Sequence, residues 1–219
     1  MAIFLLIRHG ETDYNKKMRF PGRVPNIHLN AKGSQQAKNI ANTLSKAPIK
    51  AIFSSPLERT LETAEPLATL LHLSVMPTPG LLETDCGEWQ GQSIRKLRRQ
   101  KIWISVQQHP SLFRFPGGES VVDCQHRMVQ ALESIRCEYS DQDLVACFSH
   151  ADPIKQVVAF YLGLPLDNYQ RLSIDTASIT ALHVTEGGSR LVMLNNNPSF
   201  NWDAFSIPIK SQVKSITKP

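Results

Sequence analysis

The sequence predicts an α/β fold, with a mostly parallel sheet covered by helices on both faces. Apolar runs too short for helices alternate along the chain with longer segments whose apolar residues recur at helical spacing. Several of these short runs are uniformly apolar, as in strands that are covered on both faces. The length of 219 residues suits one domain with a substantial core.

The first strand is predicted from Ile3 to Ile7, where every residue is apolar. A loop with Pro21, Gly22 and Pro25 follows. Asn30 can then cap a helix, because its side chain accepts hydrogen bonds from the first backbone N–H groups. The apolar stripe of that helix consists of Ala37, Ile40, Ala41 and Leu44.

The second strand and helix lie in the segment "AIFSSPLERTLETAEPLATLLHL". It predicts a strand, a serine turn, and a helix with Pro56 at its first position, where a missing N–H is harmless. Pro66 falls inside this helix, as a potential kink. Its apolar positions are Leu57, Leu61, Ala64, Ala68 and Leu71.

The remaining elements continue the alternation. Ser120, with Asp123 three residues later, is a variant of the capping box and predicts a helix start. A strand from Leu144 to Phe148 leads through a tight polar turn into a helix with Asp152 as cap and Pro153 at its first position. The segments "SITALHV" and "RLVML" predict a hairpin across "TEGGS".

We expect one domain over residues 1–205 and an extended or disordered tail over residues 206–219, since "SIPIKSQVKSITKP" has no amphipathic period. No apolar stretch approaches the roughly 20 residues that span a bilayer, and the first residues do not resemble a signal peptide. These features predict a cytoplasmic protein with no membrane partner. The four cysteines lack disulfide or zinc spacing and are expected to be free thiols, with Cys147 in the core.

The net charge of +5 and the pI near 9.1 suit either nucleic acid or a small anionic substrate. The densest basic stretch, Arg95 to Lys101, is more typical of a solvated helix face, with only Trp103 near enough to stack on a base. We therefore expect no nucleic-acid partner. Four side chains of the stretch remain candidates for contacts with an acidic substrate: Arg95, Lys96, Arg98 and Arg99.

Residues with chemically useful side chains follow three of the predicted strands. Arg8 and His9 end the first strand, Arg59 lies in the first turns of the helix after the second, and His150 follows the strand that ends at Phe148. Ligands of open α/β sheets collect at the carboxyl ends of the strands. Arginine forks and helix N-termini bind phosphate oxygens there, so we expect a phosphate site.

The same residues could transfer a phosphoryl group. A neutral imidazole of His9 is a nucleophile, and Arg8, Arg59 and a protonated His150 would stabilise the phosphoryl oxygens. The leaving alkoxide needs a proton, and Glu83 in "LLETDCGEWQG" is the candidate donor if its pKa is raised. Each residue alone has a plainer structural explanation, but their joint pattern favours catalysis.

At these residues the chain resembles the histidine phosphatase superfamily, in its phosphoglycerate-mutase-like branch, from Ile3 to about Asn195. The matching blocks, in order, are "RHGETDYN", "SSPLERTLETA", "LLETDCGEWQG", "PGGES" and "SHAD". The resemblance implies a three-layer α/β/α sandwich with a mixed sheet, and chemistry without a metal or other cofactor. It leaves the physiological substrate and the oligomeric state open; our own expectation for the substrate is a small phosphorylated molecule.

The resemblance also implies a role for each matching residue. His9 would be the phosphorylated nucleophile, Glu83 the proton donor, and Asn15 a loop contact to phosphate. The other implied phosphate ligands are Arg8, Arg59 and His150. Ala151 replaces the family's usual glycine, although its backbone N–H can still face an anion, and Pro21-Gly22 replaces the usual Gln-Gly.

A phosphatase is the preferred function, because the segment between Glu83 and "PGGES" is too short for a long cover over the pocket. The alternatives are a phosphomutase, such as a 2,3-bisphosphoglycerate-dependent phosphoglycerate mutase, and a non-catalytic module that binds a phosphorylated ligand. The presence of all the reacting groups disfavours the second alternative.

Overall fold

The computed structural model describes residues 2–140 and 142–197. Its strands are Ala2–Arg8 (β1), Ile49–Ser54 (β2), Val75–Pro77 (β3), Leu144–Ser149 (β4), Ile179–Thr185 (β5) and Gly188–Asn196 (β6). Its α-helices are Asp13–Lys16 (α1), Ala31–Leu44 (α2), Glu58–Leu71 (α3), Ile94–Leu97 (α4), Ile102–Gln108 (α5), Val121–Arg136 (α6) and Ala151–Tyr161 (α7). The predicted tail over residues 206–219, and the end of the predicted domain, lie outside these residues.

The strands form one mixed sheet in the order β3-β2-β4-β1-β5-β6. Strands β1 to β4 are parallel to one another. Strand β5 runs antiparallel to both of its neighbours, β1 and β6, and it forms the predicted hairpin with β6. Strand β1 pairs with β4 so that Arg8 lies opposite Ser149, and β2 lies on the other side of β4. The carboxyl ends of β1, β4 and β2 therefore meet at one edge of the sheet.

Helices cover both faces of this sheet. Along β1, Phe4 and Leu6 pack into a core with α6 and α7, and Leu5 and Ile7 pack into a second core with α2 and α3. The predicted α/β fold and the three-layer sandwich are thereby confirmed. The predicted caps Asn30, for α2, and Ser120, for α6, are also observed. No helix of the described residues is long and apolar enough to cross a membrane.

Two predicted helix starts were wrong. Helix α3 begins at Glu58, after an extended Leu57, so Pro56 lies in the preceding turn, where its fixed φ is equally suitable. Helix α7 begins at Ala151 with His150 as its N-cap, so neither Asp152 nor Pro153 holds the predicted position. Proline is tolerated anywhere in a first turn, because those N–H groups have no partner within the helix. The position of a proline therefore does not determine at which residue the helix begins.

The sequence prediction did not include strand β3. It is three residues long and forms an edge of the sheet, where Pro77 needs no ladder hydrogen bond. All four cysteines are free, as predicted, and Cys147 is buried in the core.

The basic stretch forms α4 and its continuation, with Leu97 buried and with Arg95, Lys96, Arg98 and Arg99 exposed. Trp103 stacks on Trp89 at a ring-centroid distance of 5.8 Å, within an aromatic cluster. Its ring is therefore already engaged inside the protein, and the stretch has the character of the solvated helix face that the sequence predicted.

Candidate active site

The carboxyl ends of β1 and β4 bring the two predicted histidines together. His9 follows β1 and His150 follows β4, and their ring centroids are 5.2 Å apart. Both rings are buried, with His9 2 % exposed. The fold thus places the candidate nucleophile beside the candidate phosphate ligand.

A single carbonyl group fixes the protonation of His9. The Nδ1 atom lies 2.7 Å from the Gly10 carbonyl oxygen, which can only accept, so Nδ1 carries the proton and Nε2 keeps its lone pair. Burial, followed by the positive charges of Arg59 and Arg8, holds the pKa of His9 well below its usual 6.5. His9 is therefore a neutral imidazole with a free Nε2 atom, the form that a nucleophile requires.

The backbone after His9 is held by close packing. The Gly10 N–H donates to Thr63 Oγ1 at 3.0 Å. A Cβ on Gly10 would lie 2.7 Å from the backbone oxygen of Gly33, in the first turn of α2. Glycine is needed at position 10 because any side chain there would collide with backbone.

Two arginines offer unused hydrogen-bond donors beside these histidines. Arg59 is fully buried and donates from Nη2 to the Gly22 carbonyl at 2.8 Å, but its Nε and Nη1 atoms have no hydrogen-bond partner among the described residues. Arg8 donates from Nη1 to the Ile174 carbonyl at 2.7 Å, and its Nε atom also has no partner in residues 2–140 and 142–197. Buried charged donors of this kind are costly unless an anion binds them.

The surroundings of His150 also leave one nitrogen unused. Its Nε2 atom lies 2.9 Å from Ser55 Oγ, and within the part of the chain that the structure describes Nδ1 has no hydrogen-bond partner. Burial, the charges of Arg59 and Arg8, and the neighbouring His9 hold the pKa of His150 well below 6.5. The expectation of a protonated second histidine is therefore wrong for the protein alone. If the Ser55 hydroxyl donates to Nε2, the proton of the neutral ring lies on Nδ1, as a donor for phosphate.

Glu83 completes the cluster from the loop between β3 and α4. Its Oε2 atom lies 3.9 Å from His150 Nδ1, its Oε1 accepts the Thr84 N–H at 2.9 Å, and its side chain is 13 % exposed. Burial, helped by the negative charge of Asp152, raises the pKa of the Glu83 carboxyl to about 7, against the opposing effect of Arg59 and Arg8. A carboxyl of this kind can give and take a proton near neutral pH.

The cluster opens into a cavity of about 580 Å³. Five predicted residues line it: Arg8, His9, Asn15, Glu83 and Ala151. Arg59 and His150 are buried and are not part of that lining. The Oδ1 atom of Asn15 accepts from the backbone and the hydroxyl of Thr12, so only its side-chain nitrogen is left for phosphate.

The sequence prediction missed most of the outer wall of the cavity. This wall includes Met18, Arg19, Phe20, Lys32, Gln36, Ile94, Asp152, Asp175 and Thr176. The only available sequence signal was for Asp152, two residues after His150 in the first turn of α7. The four basic candidates Arg95, Lys96, Arg98 and Arg99 do not line the cavity.

Within the described residues, no group of three or more His, Cys, Asp or Glu side chains is arranged to hold a metal ion.

Comparison with known proteins places this geometry in a family. The family model for the histidine phosphatase superfamily (branch 1) matches residues 4–197. The chain is 30% identical over 200 residues to phosphoserine phosphatase 1 of Hydrogenobacter thermophilus, covering 89% of this chain and 92% of that protein. It is 35% identical over 179 residues to a Proteus mirabilis protein named "Probable phosphoglycerate mutase GpmB", covering 80% and 81% of the two chains.

The solved structure of a mycobacterial glucosyl-3-phosphoglycerate phosphatase matches with a TM-score of 0.81 and 28% identity, covering 89% of this chain and 99% of that one. These matches confirm the family resemblance seen in the sequence. The chain belongs to the histidine phosphatase superfamily, branch 1.

Proposed function

We propose that this protein hydrolyses small phosphomonoesters through a phosphohistidine intermediate on His9. The observation that carries the proposal is the neutral His9, with its proton fixed on Nδ1, beside the unpartnered donors of Arg8 and Arg59. This arrangement combines a nucleophile with a binding site for a phosphate dianion.

In the first step, the phosphate binds the free N–H groups of Arg8 and Arg59, the Nδ1–H group of His150 and the backbone N–H of Ala151. The Nε2 atom of His9 attacks phosphorus, forming the N–P bond as the bond between phosphorus and the ester oxygen breaks. The protonated Glu83 carboxyl gives its proton to that oxygen, so the alcohol leaves neutral.

In the second step, the Glu83 carboxylate takes a proton from water while the water oxygen attacks phosphorus. The N–P bond breaks, which releases inorganic phosphate and neutral His9, and Glu83 is protonated again. The arginines hold the phosphoryl oxygens in both steps, so no metal ion is required to neutralise their charge.

The position of the segment after Glu83 favours hydrolysis over phosphoryl return to a bound product. Trp89, Trp103, Phe113 and Phe115 pack against one another in their own aromatic cluster. From α4 and α5, only Ile94 lines the cavity. A mutase must keep water away from its phosphoenzyme, and this segment provides little cover for that purpose.

Phosphoserine is the first substrate to test. The outer wall of the cavity carries both acidic and basic side chains, Asp152 and Asp175 with Arg19 and Lys32. Such a wall suits the ammonium and carboxylate groups of a phosphorylated amino acid, and the Hydrogenobacter relative is named for that substrate. The name of the mycobacterial phosphatase adds glucosyl-3-phosphoglycerate to the panel. 3-Phosphoglycerate is also included, because a similar phosphoserine phosphatase from Entamoeba histolytica has been solved in complex with it.

The direct experiment measures phosphate release from these esters and from p-nitrophenyl phosphate in the presence of a chelator. We expect turnover of p-nitrophenyl phosphate and of at least one alkyl ester. A parallel assay follows the interconversion of 2- and 3-phosphoglycerate with 2,3-bisphosphoglycerate as primer. Interconversion faster than hydrolysis would replace the phosphatase by the mutase, and phosphate binding without any turnover would leave a binding module.

The raised pKa of Glu83 predicts the pH dependence of this activity. The donor must be protonated, so kcat/KM for an alkyl ester should fall above pH 7, by about tenfold per unit once the carboxyl is ionised. Asp152→Asn removes a negative charge that raises this pKa, and should move the fall to lower pH. Stopped phosphate-release assays across the neutral range test both, and a flat profile through the alkaline side would contradict the assignment of Glu83.

A further inference from the structure

We propose that Arg23 is a positioning residue for the proton donor Glu83, which it ties to the loop that holds the phosphate ligand Arg59. The inference rests on the proposed function, because it assigns a role toward the acid of that reaction. Neither the motifs of the sequence nor the shape of the cavity indicated it.

Arg23 contacts the Glu83 backbone directly. Its Nε atom donates to the Glu83 carbonyl oxygen at 2.8 Å. Its Nη2 atom donates to Glu119 Oε1 at 3.0 Å, and the same oxygen accepts the Asp85 N–H at 2.9 Å. The Glu119 N–H returns a hydrogen bond to the Asp85 carbonyl at 3.0 Å. Residues 83–85 are therefore held through both Arg23 and Glu119.

A second arginine supports the same loop from another side. Arg127, on α6, donates from Nη1 to the carbonyl oxygens of Gly80 and Leu82 at 2.8 and 3.1 Å, and from Nη2 to Glu119 Oε1 at 2.9 Å. Its Nη2 atom also reaches the Glu83 carbonyl oxygen, at 3.4 Å, but its shorter bonds to the loop are with the turn before Glu83. Arg127 fixes where the loop begins, whereas Arg23 connects the loop to the opposite side of the site.

That connection passes through a single peptide unit. The carbonyl of Gly22 accepts from Arg59 Nη2 at 2.8 Å, and the next residue, Arg23, donates to Glu83. Gly22 has a φ of +49°, and a Cβ there would lie 2.5 Å from Gln90 Cγ. Gln90 also accepts the Arg23 N–H. The Gly22–Arg23 unit is therefore clamped between the arginine that binds phosphate and the loop that carries the acid.

Arg23 acts through Glu83 rather than on the substrate. It is absent from the residues that line the cavity, although Pro21 and Gly22 are among them. Its side chain is 27 % exposed, so its fork is ordered by the contacts with Glu83 and Glu119 rather than by deep burial. Loss of these contacts should leave phosphate binding and nucleophilic attack in place but let the carboxyl move away from the leaving oxygen.

The test compares two leaving groups. A p-nitrophenolate ion leaves without a proton, whereas an alkoxide requires one. In Arg23→Met, kcat/KM for the best alkyl ester of the panel should fall by about 10- to 100-fold. This is part of the rate enhancement of roughly 100- to 10,000-fold that a general acid provides, because Glu83 is still present but less well positioned. The value for p-nitrophenyl phosphate should stay within about threefold. Glu83→Gln sets the reference and should show the same split, larger in size.

Two further variants make the result specific. Arg136→Met removes an arginine of matched exposure, 24 %, that pairs with Glu133 on α6, and it should affect both substrates alike and little. Arg23→Lys keeps the charge but not the planar fork, and should show a smaller split in the same direction. It also gives a reading if Arg23→Met folds poorly, as judged by thermal melting.

The outcomes separate this inference from the proposed function. Equal losses on both substrates in the Arg23 variants, with the split intact in Glu83→Gln, would reduce Arg23 to a structural residue and overturn the inference alone. The absence of a split in Glu83→Gln, or of any turnover by the unmodified protein, would overturn the proposed function together with it.

Discussion

Replacing His9 by alanine should lower phosphomonoester hydrolysis by roughly 10,000-fold or more, because it removes the atom that accepts the phosphoryl group. The remaining groups would still bind phosphate, since the free donors belong to Arg8 and Arg59. Water could replace His9 only as a poorly oriented nucleophile, with no N–P bond to divide the reaction into two steps. KM should therefore change much less than kcat.

Rapid-quench assays with p-nitrophenyl phosphate measure the loss of turnover, and mass spectrometry of the quenched protein detects the phosphorylated histidine. The unmodified protein should carry a phosphoryl group on the peptide that contains His9, and the variant should not. His126→Ala is the matched control, since His126 is exposed on α6 and away from the cavity. Undiminished turnover by His9→Ala would remove the phosphohistidine mechanism.

The sequence was sufficient to predict those parts of the site that follow strand ends. Parallel strands present their carboxyl ends at one edge, so Arg8, His9 and His150 could be assigned to that edge before their contacts were known. The register of β1 on β4 then brings the two imidazoles together. Local patterns were also sufficient for the Asn30 and Ser120 caps, because capping depends on neighbouring residues alone.

Other features depend on contacts between distant segments and leave no local pattern. The Arg23–Glu119 contact joins residues 96 positions apart. The low pKa of His150 follows from its burial beside two arginines, which the order of residues does not reveal. The wall residues Asp175 and Thr176 enter the cavity from the loop before β5, at the other end of the chain. Sequence reasoning therefore found the reacting groups but not the residues that tune and position them.

Replacement of Arg59 by methionine should lower catalytic activity without lowering the stability of the fold. Arg59 is fully buried, and two of its three guanidinium nitrogens lack a hydrogen-bond partner in the described part of the chain. Burial lowers the pKa of Arg59 from its ordinary value, so the protein disfavours this charge when no anion is bound. A methionine would fill much of the same space without a charge, and would give up only the bond to the Gly22 carbonyl.

We expect kcat/KM of Arg59→Met to fall by roughly 100- to 1,000-fold, the usual cost of losing one donor that stabilises transition-state charge. The free energy of unfolding should stay the same or rise by about 1 to 2 kcal/mol, as when other incompletely paired buried charges are replaced by apolar residues. Steady-state kinetics and urea unfolding measure the two effects. Arg190→Met, an exposed arginine on β6 outside the cavity wall, is the control and should change neither.

The response of the melting temperature to inorganic phosphate tests directly whether Arg59 binds the anion. An anion that binds only the folded protein raises its melting temperature. Above Kd, the rise grows with the logarithm of the ratio of the anion concentration to Kd. The unmodified protein should therefore melt at increasing temperatures as phosphate is added, and Arg59→Met should respond much less. A variant that loses stability in buffer, yet keeps the full response to phosphate, would mean that Arg59 supports the fold and that the anion is held by other groups. If Arg59→Met keeps or gains stability in buffer and loses the response to phosphate, the buried charge of Arg59 serves to bind the substrate and lowers the stability of the protein without ligand.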